Sequence, residues 1–312
     1  MVSNQVRTNT LLDRVSYRLN IARDRARRIK WRWRDLRDAG EPVEVNPTVA
    51  LIVVGRNDNY GGDFRGRLNA TLAWNLQFPF SEVIYVEWNP VADKPSDAEW
   101  LVQRFPNLRV YIVSRERHQR SCTNPKMPVM EYFAKNVGIR RAKADWICLV
   151  NADVLIGPDV FKRLAKLRPG SVYGTHNVNI KWTGSEIKRA DLTEQLLGGF
   201  SAGDDLLSVV GNFFLAPRKL WHQARGYDES LTDRRVVCDG HGAAQLYNLG
   251  ARPRVIGRHY HLDHPESCQN AVLGHQGTYF DPWEGVPYEN SENWGQADAI
   301  ERPVGERTWF LE

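Results

Sequence analysis

Three small groups of residues carry side chains suited to chemistry. The first is Asn151-Ala152-Asp153, which follows directly on the apolar run Ile147 to Val150. A carboxylate at such a point is a candidate ligand for a divalent cation, or a turn or helix cap ahead of Pro158. The second is His259, His261 and His264, close enough to share one ion or to be plain surface polarity; on a strand, 259 and 261 lie on one face. The third is Asp239, a residue equally suited to opening a helix and to taking a proton from a substrate.

The elements that would position these groups alternate in type. Residues 48–55, 81–89, 108–114 and 145–153 read as strands; 69–78, 97–105 and 130–144 read as helices. This order predicts an open α/β fold around a mostly parallel central sheet flanked by helices. Ligands of such sheets bind beyond the carboxyl ends of the strands. There the sequence places Arg56, Asn57, Asp58, Glu87, Asn151 and Asp153. No GxxxxGK[ST] loop is present, and Gly55, Gly61 and Gly62 do not form GxGxxG, so neither common phosphate-binding loop is expected. A bound diphosphate would then need another source of positive charge, and a metal held by strand-end carboxylates supplies one.

The run "AKNVGIRRAKADWICLVNADVLIGPDVF" resembles the centre of the GT-A-fold glycosyltransferases, above all the large family 2 group, in which (Arg/Lys)-Asn-x-Gly on a helix precedes a strand ending in Asp-x-Asp. "VIYVEWN" is similar to the family's Val-Asp-Asp segment, with Glu87 at the first acid. "GYDE" at 226–229 stands where Gly-Phe-Asp-Glu is found, "CDGHG" from 238 where Glu-Asp opens a helix, and "HYHLDHPES" resembles the histidine segment of chondroitin- or hyaluronan-type polymerising transferases. The likeness spans residues 48–268. Two positions depart from it: Asn151 replaces the first acid of Asp-x-Asp, and Cys238 replaces the Glu of Glu-Asp.

The resemblance implies a GT-A (Rossmann-like) domain over 46–268, after a basic helical arm and linker (1–45) and before a loop-rich C-terminal extension (269–312). It implies a metal-dependent, inverting transferase that moves a sugar from a nucleotide-diphospho-sugar, with UDP the expected nucleotide, to a glycan or lipid-linked acceptor. Asp153 would bind Mn²⁺ or Mg²⁺, with His261 and then His264 as imidazole ligands. Arg56, Asp58 and Glu87 would line the nucleoside pocket, Lys135 and Asn136 are donor-binding candidates on the helix before the metal strand, Lys135 either meeting a phosphate or standing solvated, and Asn151 would meet a ribose hydroxyl. Asp239 is the expected general base, with His241 a weaker competitor, and Asp228 and Glu229 shape the acceptor pocket or a turn. Two alternatives stay open: a sugar-phosphate nucleotidyltransferase, and a catalytically silent sugar-nucleotide or glycan-binding module.

Charge singles out the arm. The chain has 312 residues and a net charge of +5. Between Arg7 and Asp38 eleven basic residues face four Asp, so this segment carries +7 and the remainder about −2. Apolar residues recur through it at heptad spacing, from Leu12 to Leu36, which predicts a basic amphipathic helix. The helix would pack on the body, pair with a second copy as a homodimer, or lie on an anionic membrane through residues 10–37, with Trp31 and Trp33 at the headgroups. No nucleic-acid-binding module accompanies it, so nucleic acid is not expected. The four cysteines form no CxxC pair and no apolar leader opens the chain, which suits a cytoplasmic setting, peripheral to the inner membrane face. Aromatics at Trp182, Phe213, Phe214, Trp221, Trp283 and Trp294 are candidates for stacking on sugars.

Overall fold

The computed structural model describes residues 40–189, 191–194, 196–198, 210–234, 237–265 and 281–312. The chain divides into two units, 1–43 and 44–312, and the predicted arm lies outside the described residues. All of the candidate site residues belong to the second unit.

An eleven-stranded mixed sheet forms the centre of that unit. The chain enters through β1 (Val49–Gly55), α1 (Phe64–Asn75), β2 (Glu82–Trp88), α2 (Asp97–Arg104) and β3 (Leu108–Val113). Then come α3 (Arg115–Ser121), α4 (Glu131–Arg141), β4 (Trp146–Val150), β5 (Val154–Ile156), α5 (Pro158–Leu164) and β6 (Ser171–Lys181). The second half adds β7 (Phe213–Pro217), α6 (Arg218–Ala224), α7 (Cys238–Asn248), β8 (Arg252–Asp263), β9 (Glu301–Gly305) and β10 (Thr308–Leu311). In space the strands run β9-β10-β3-β2-β1-β4-β7-β6-β8-β5, and the short strand Leu196–Gly198 pairs with β6. The half formed by β10, β3, β2, β1 and β4 is parallel. Beyond β4, β7 runs antiparallel to both of its neighbours, β6 and β8 are parallel, and β5 is antiparallel to β8.

The apolar alternation of β1 explains the layers. Ala50, Ile52 and Val54 point into a core shared with Val137 of α4, Trp221 of α6 and Leu246 of α7. Val49, Leu51 and Val53 point into the other core, shared with Leu72 of α1, Leu101 of α2 and Leu164 of α5. Each fully buried Val, Leu or Ile in such a two-sided strand contributes about 1.5–3 kcal/mol, so β1 and β4 are strongly fixed. Gly138 lets α4 sit close: a Cβ there would meet Ile52 Cγ2 at 2.6 Å.

Several elements differ from the sequence reading. α1 begins at Phe64, five residues before the predicted helix, because Phe64 and Leu68 continue its buried face. α3, within the polar stretch after β3, was not anticipated; Ser114 caps it by accepting from the Arg117 amide. The largest correction is the C-terminal extension. Its described part, residues 281–312, adds β9 and β10 to the sheet, and β10 pairs in parallel with β3 from Thr308↔Val110 to Leu311↔Val113. Arg117 and Arg141 fasten the extension through Gln296, Asp298, Gly295 and Glu301.

Candidate active site

The turn between β4 and β5 is the foundation. Asn151 N–H donates to Asn212 O at 3.1 Å, Val154 N–H to Asn151 O at 3.1 Å, and Leu262 N–H to Asp153 O at 2.8 Å. The turn is thereby tied to the entry of β7 on one side and to β8 on the other. From behind, α1 holds β5: Asn75 Nδ2 donates to Val154 O, Asn75 Oδ1 accepts from Ile156 N–H, and Trp74 Nε1 donates to Ile156 O.

This framework brings Asp153, His261 and His264 together, with one ligand atom from each lying within 4.8 Å of the others. His264 Nε2 lies 3.0 Å, and His261 Nε2 3.7 Å, from Asp153 Oδ2. Ligands bonded at about 2.2 Å to one ion stand roughly 3–4.5 Å apart, so the three atoms fit a shared cation without large movement. Burial works against the charge of Asp153, yet the hydrogen bonds and charges of His261 and His264 outweigh it and hold the carboxyl well below the usual range. Burial likewise opposes the charge of His261, but Asp153 reverses it and the imidazole is held above its usual range. Both shifts express one fact: opposite charge is wanted beside each group. His264 is positioned by Tyr60, whose ring stands edge-on to it at 4.9 Å, and by Gly61, whose left-handed backbone leaves no room for a side chain; a Cβ there would lie 2.4 Å from His264 Nδ1. His259 shares the face but sits deeper: its Nδ1 is 2.7 Å from Thr175 Oγ1, and burial drives its pKa down to about 3.

A cleft of about 390 Å³ opens over this triad, with Arg56, Asp58, Asn151 and Glu131 also on its walls. Arg56 and Asp58 form an ion pair at 2.9 Å, and Arg56 Nε also donates to Asn89 O. Behind them Asn57 latches the 91–95 loop, donating to the carbonyls of Val91, Lys94 and Pro95 and accepting from the Val91 amide.

Four of the expected site residues are not among those that line the cleft. Glu87 is fully buried and does not line the cleft; it accepts from Ser96 Oγ and from Asp97 N–H at the start of α2, and burial raises its pKa to about 7. Asn136, also fully buried, is a staple between α4 and the 226–229 turn: Nδ2 donates to Tyr227 O (2.8 Å) and Glu229 Oε1 (3.0 Å), and Oδ1 accepts from Tyr227 N–H (2.7 Å). Lys135 is buried, and its Nζ donates to Glu131 Oε1 (2.7 Å), Asn151 Oδ1 (3.1 Å) and Gly211 O (3.4 Å). Asn151, whose Nδ2 donates to Asn212 Oδ1, is thus engaged at both ends of its amide while still lining the cleft. The fourth, Asp239, lies in the first turn of α7, half-buried, against Gly211; a Cβ on Gly211 would come within 2.6 Å of its Oδ2. It borders the cleft through the Gly211-Asn212 segment and is not one of its lining residues.

His241 has both ring nitrogens occupied, by Asp228 Oδ2 (3.0 Å) and Pro282 O (2.8 Å), which leaves it poorly placed as a competing base. Glu229 accepts from Gly295 N–H and so ties the turn to the C-terminal extension. Of the six aromatics, Phe213, Phe214, Trp221 and Trp294 are core residues, Trp182 donates to Asp63, and Trp283 is exposed. Sequence reasoning overlooked Glu131, Tyr60 and Asn212. The signal for Glu131 was its place four residues before Lys135 on one helix face.

No protein-family model matches the chain, and no curated protein does either. Among solved structures it is similar to residues 1–349 of S. aureus TarS, with 14% identity over 69% of this chain and 60% of that one, at a TM-score of 0.44. A longer TarS structure gives 17% identity over 72% of this chain and 38% of that one. The mannosyltransferase PcManGT from Pyrobaculum calidifontis, in complex with GDP-Man and Mn²⁺, gives 17% identity over 83% of this chain and 74% of that one, also at 0.44. The chain therefore spans less than two thirds of the length of either TarS structure.

Proposed function

We propose that this chain is a metal-dependent glycosyltransferase that moves a sugar from a nucleotide-diphospho-sugar, UDP-linked in our reading, to a hydroxyl of a glycan or lipid-linked acceptor, with inversion. The observation that carries the proposal is the convergence of Asp153, His261 and His264 at the carboxyl end of the sheet, on the wall of a cleft that Arg56 and Asp58 also line. Asp153, His261 and His264 would hold the cation, and their mixed oxygen and imidazole set favours Mn²⁺ over Mg²⁺. When bound, the cation neutralises the two phosphates and the charge that develops on the departing oxygen.

The chain's own residues do the rest. Arg56, anchored to Asp58 and the Asn89 carbonyl, offers a fixed guanidinium at the end of β1 for the nucleoside side of the donor. Asn151 contributes a neutral amide in a fixed orientation. Asp239 accepts the acceptor's hydroxyl proton as that oxygen bonds to the anomeric carbon and the bond to the diphosphate breaks; attack from the face opposite the diphosphate inverts the centre. Burial pushes the Asp239 carboxyl above the usual range, which suits a group that must take a proton near neutrality. The basic residues of the 10–37 segment support contact with an anionic membrane surface, where a lipid-linked acceptor would be found. Among the described residues no helix is long and apolar enough to cross a membrane.

The test is thermal unfolding of the full chain with MnCl₂, alone and with a panel of nucleotide-diphospho-sugars, for wild type and Asp153→Ala. Stabilisation by one donor that needs Mn²⁺ and is lost in the variant is expected. A variant that keeps the Mn²⁺-dependent shift would remove Asp153 from the site and the proposal with it.

A further inference from the structure

Two charged residues beside the cleft, Glu131 and Lys135, have no part in the proposed reaction. Lys135 Nζ is buried and reaches three elements at once: Glu131 Oε1 on its own helix, Asn151 Oδ1 at the end of β4, and the carbonyl of Gly211 before β7. Asp239 also lies against Gly211: a Cβ on that glycine would come within 2.6 Å of Asp239 Oδ2. Tyr132, whose ring lies 4.9 Å from Lys135 Nζ, is buried in the same group and feels the charges of both Asp239 and Glu131. One lysine therefore acts electrostatically on two carboxylates. One of them, Glu131, lines the cleft and is ion-paired; the other, Asp239, is held at a helix start with no direct ion pair among the described residues.

We infer that Glu131 and Lys135 are positioning residues for Asp239, Lys135 fixing the Gly211 backbone against which its carboxylate rests and the pair together setting the local charge under which it gains and loses its proton. The inference rests on the assignment of Asp239 as the base. Its physical content is that two nearby groups act on one carboxylate with opposite sign. Burial is the main cause of Asp239's raised proton affinity; the Gly240 amide and the Lys135 ammonium lower it, and the Glu131 carboxylate raises it. The other groups that face this cluster are Tyr132 from α4, Tyr227 from the 226–229 turn and Cys238 from α7, all held neutral by burial. Paired acids whose surroundings separate their proton affinities are a recurrent way of dividing acid and base roles.

The experiment needs no substrate. The full chain is labelled with ¹³C at aspartate carboxyls, and the Asp239 resonance is identified by its loss in Asp239→Asn. It is then followed against pH in wild type, Glu131→Gln and Lys135→Met. Removing the negative neighbour should move the Asp239 midpoint down by about 1 pH unit, and removing the positive one should move it up by about as much. Lys135→Arg and Glu131→Asp keep the charges and should restore the wild-type midpoint, which a purely structural role would not require. Midpoints that coincide in all variants, or that move the same way in Glu131→Gln and Lys135→Met, would overturn the inference. A transfer assay with a donor identified by thermal shift separates this from the reading beneath it. Displaced midpoints with an unmoved acid limb of kcat/KM would leave the tuning intact and remove Asp239 as the base.

Discussion

Replacing Glu87 with Gln should remove a calculable part of the pH dependence of folding stability. The side chain is fully buried at the end of β2, and its pKa rises from an ordinary 4.5 to about 7 because burial disfavours its charge, despite hydrogen bonds from Asp97 N–H and Ser96 Oγ. The folded protein thus keeps this proton to higher pH than the unfolded chain does. Below 4.5 both states are protonated and no penalty applies; as pH climbs from 4.5 to 7 the unfolded state releases its proton first and stability falls; above 7 the loss is complete. A gap of that width corresponds to about 3 kcal/mol at roughly 1.4 kcal/mol per pH unit. Gln keeps an acceptor oxygen for the Asp97 amide and never ionises. Urea unfolding at about pH 4 and about pH 8 should therefore show the stability difference, variant minus wild type, growing by about 3 kcal/mol towards the higher pH, other titrations cancelling in the difference. A difference that stays constant, or shrinks, would refute the reasoning and return Glu87 to a solvated, ligand-facing role.

Asn136→Ala should cost about 3 kcal/mol or more in urea unfolding, because it removes three buried hydrogen bonds and leaves the Tyr227 amide without its acceptor; a loss near zero would contradict the staple. Gly61→Ala should weaken Mn²⁺ binding, measured by calorimetry, about tenfold or more, because its methyl would displace His264 and strain a left-handed turn. Unchanged affinity would show that His264 needs no such backing. Deleting residues 1–39 should abolish co-sedimentation with vesicles rich in anionic lipid and leave donor-induced stabilisation intact; equal co-sedimentation would dispose of the membrane contact.

Strands β1 to β4 were legible because each is a short, largely apolar run with most of its residues buried, as at Val49–Val54 and Ile147–Val150. β10 was not, because "TWFL" is only four residues long and gains strand character from pairing with β3, a contact between residues almost two hundred positions apart. Asp153, His261 and His264 stand out together in the sequence by residue type and order, and the fold places them side by side. Glu87, Asn136 and Lys135 are misplaced by sequence reasoning because a polar residue near a strand end or within a matching motif looks the same whether it faces a cleft or a buried backbone. Partners such as the Tyr227 amide or the Asp97 amide belong to distant segments, so no local pattern reveals them.

The register of β8 has a consequence for how the histidines came to face the cleft. Its pairing with β6 runs from Arg252↔Ser171 to Val255↔Gly174, then resumes at Arg258↔His176, one residue out of step. Gly257 lies in that irregularity with φ +146, where a Cβ would strike Asp159 and Val160. On an uninterrupted strand the side that bears Arg254 would go on to bear Arg258 and Tyr260; the extra residue passes that side to His259 and His261. Which side chains of β8 share the side of His261 is therefore decided upstream, by a phase change beside Gly257, and removal of one residue there would turn the Tyr260 phenol to the side that now carries the His261 imidazole.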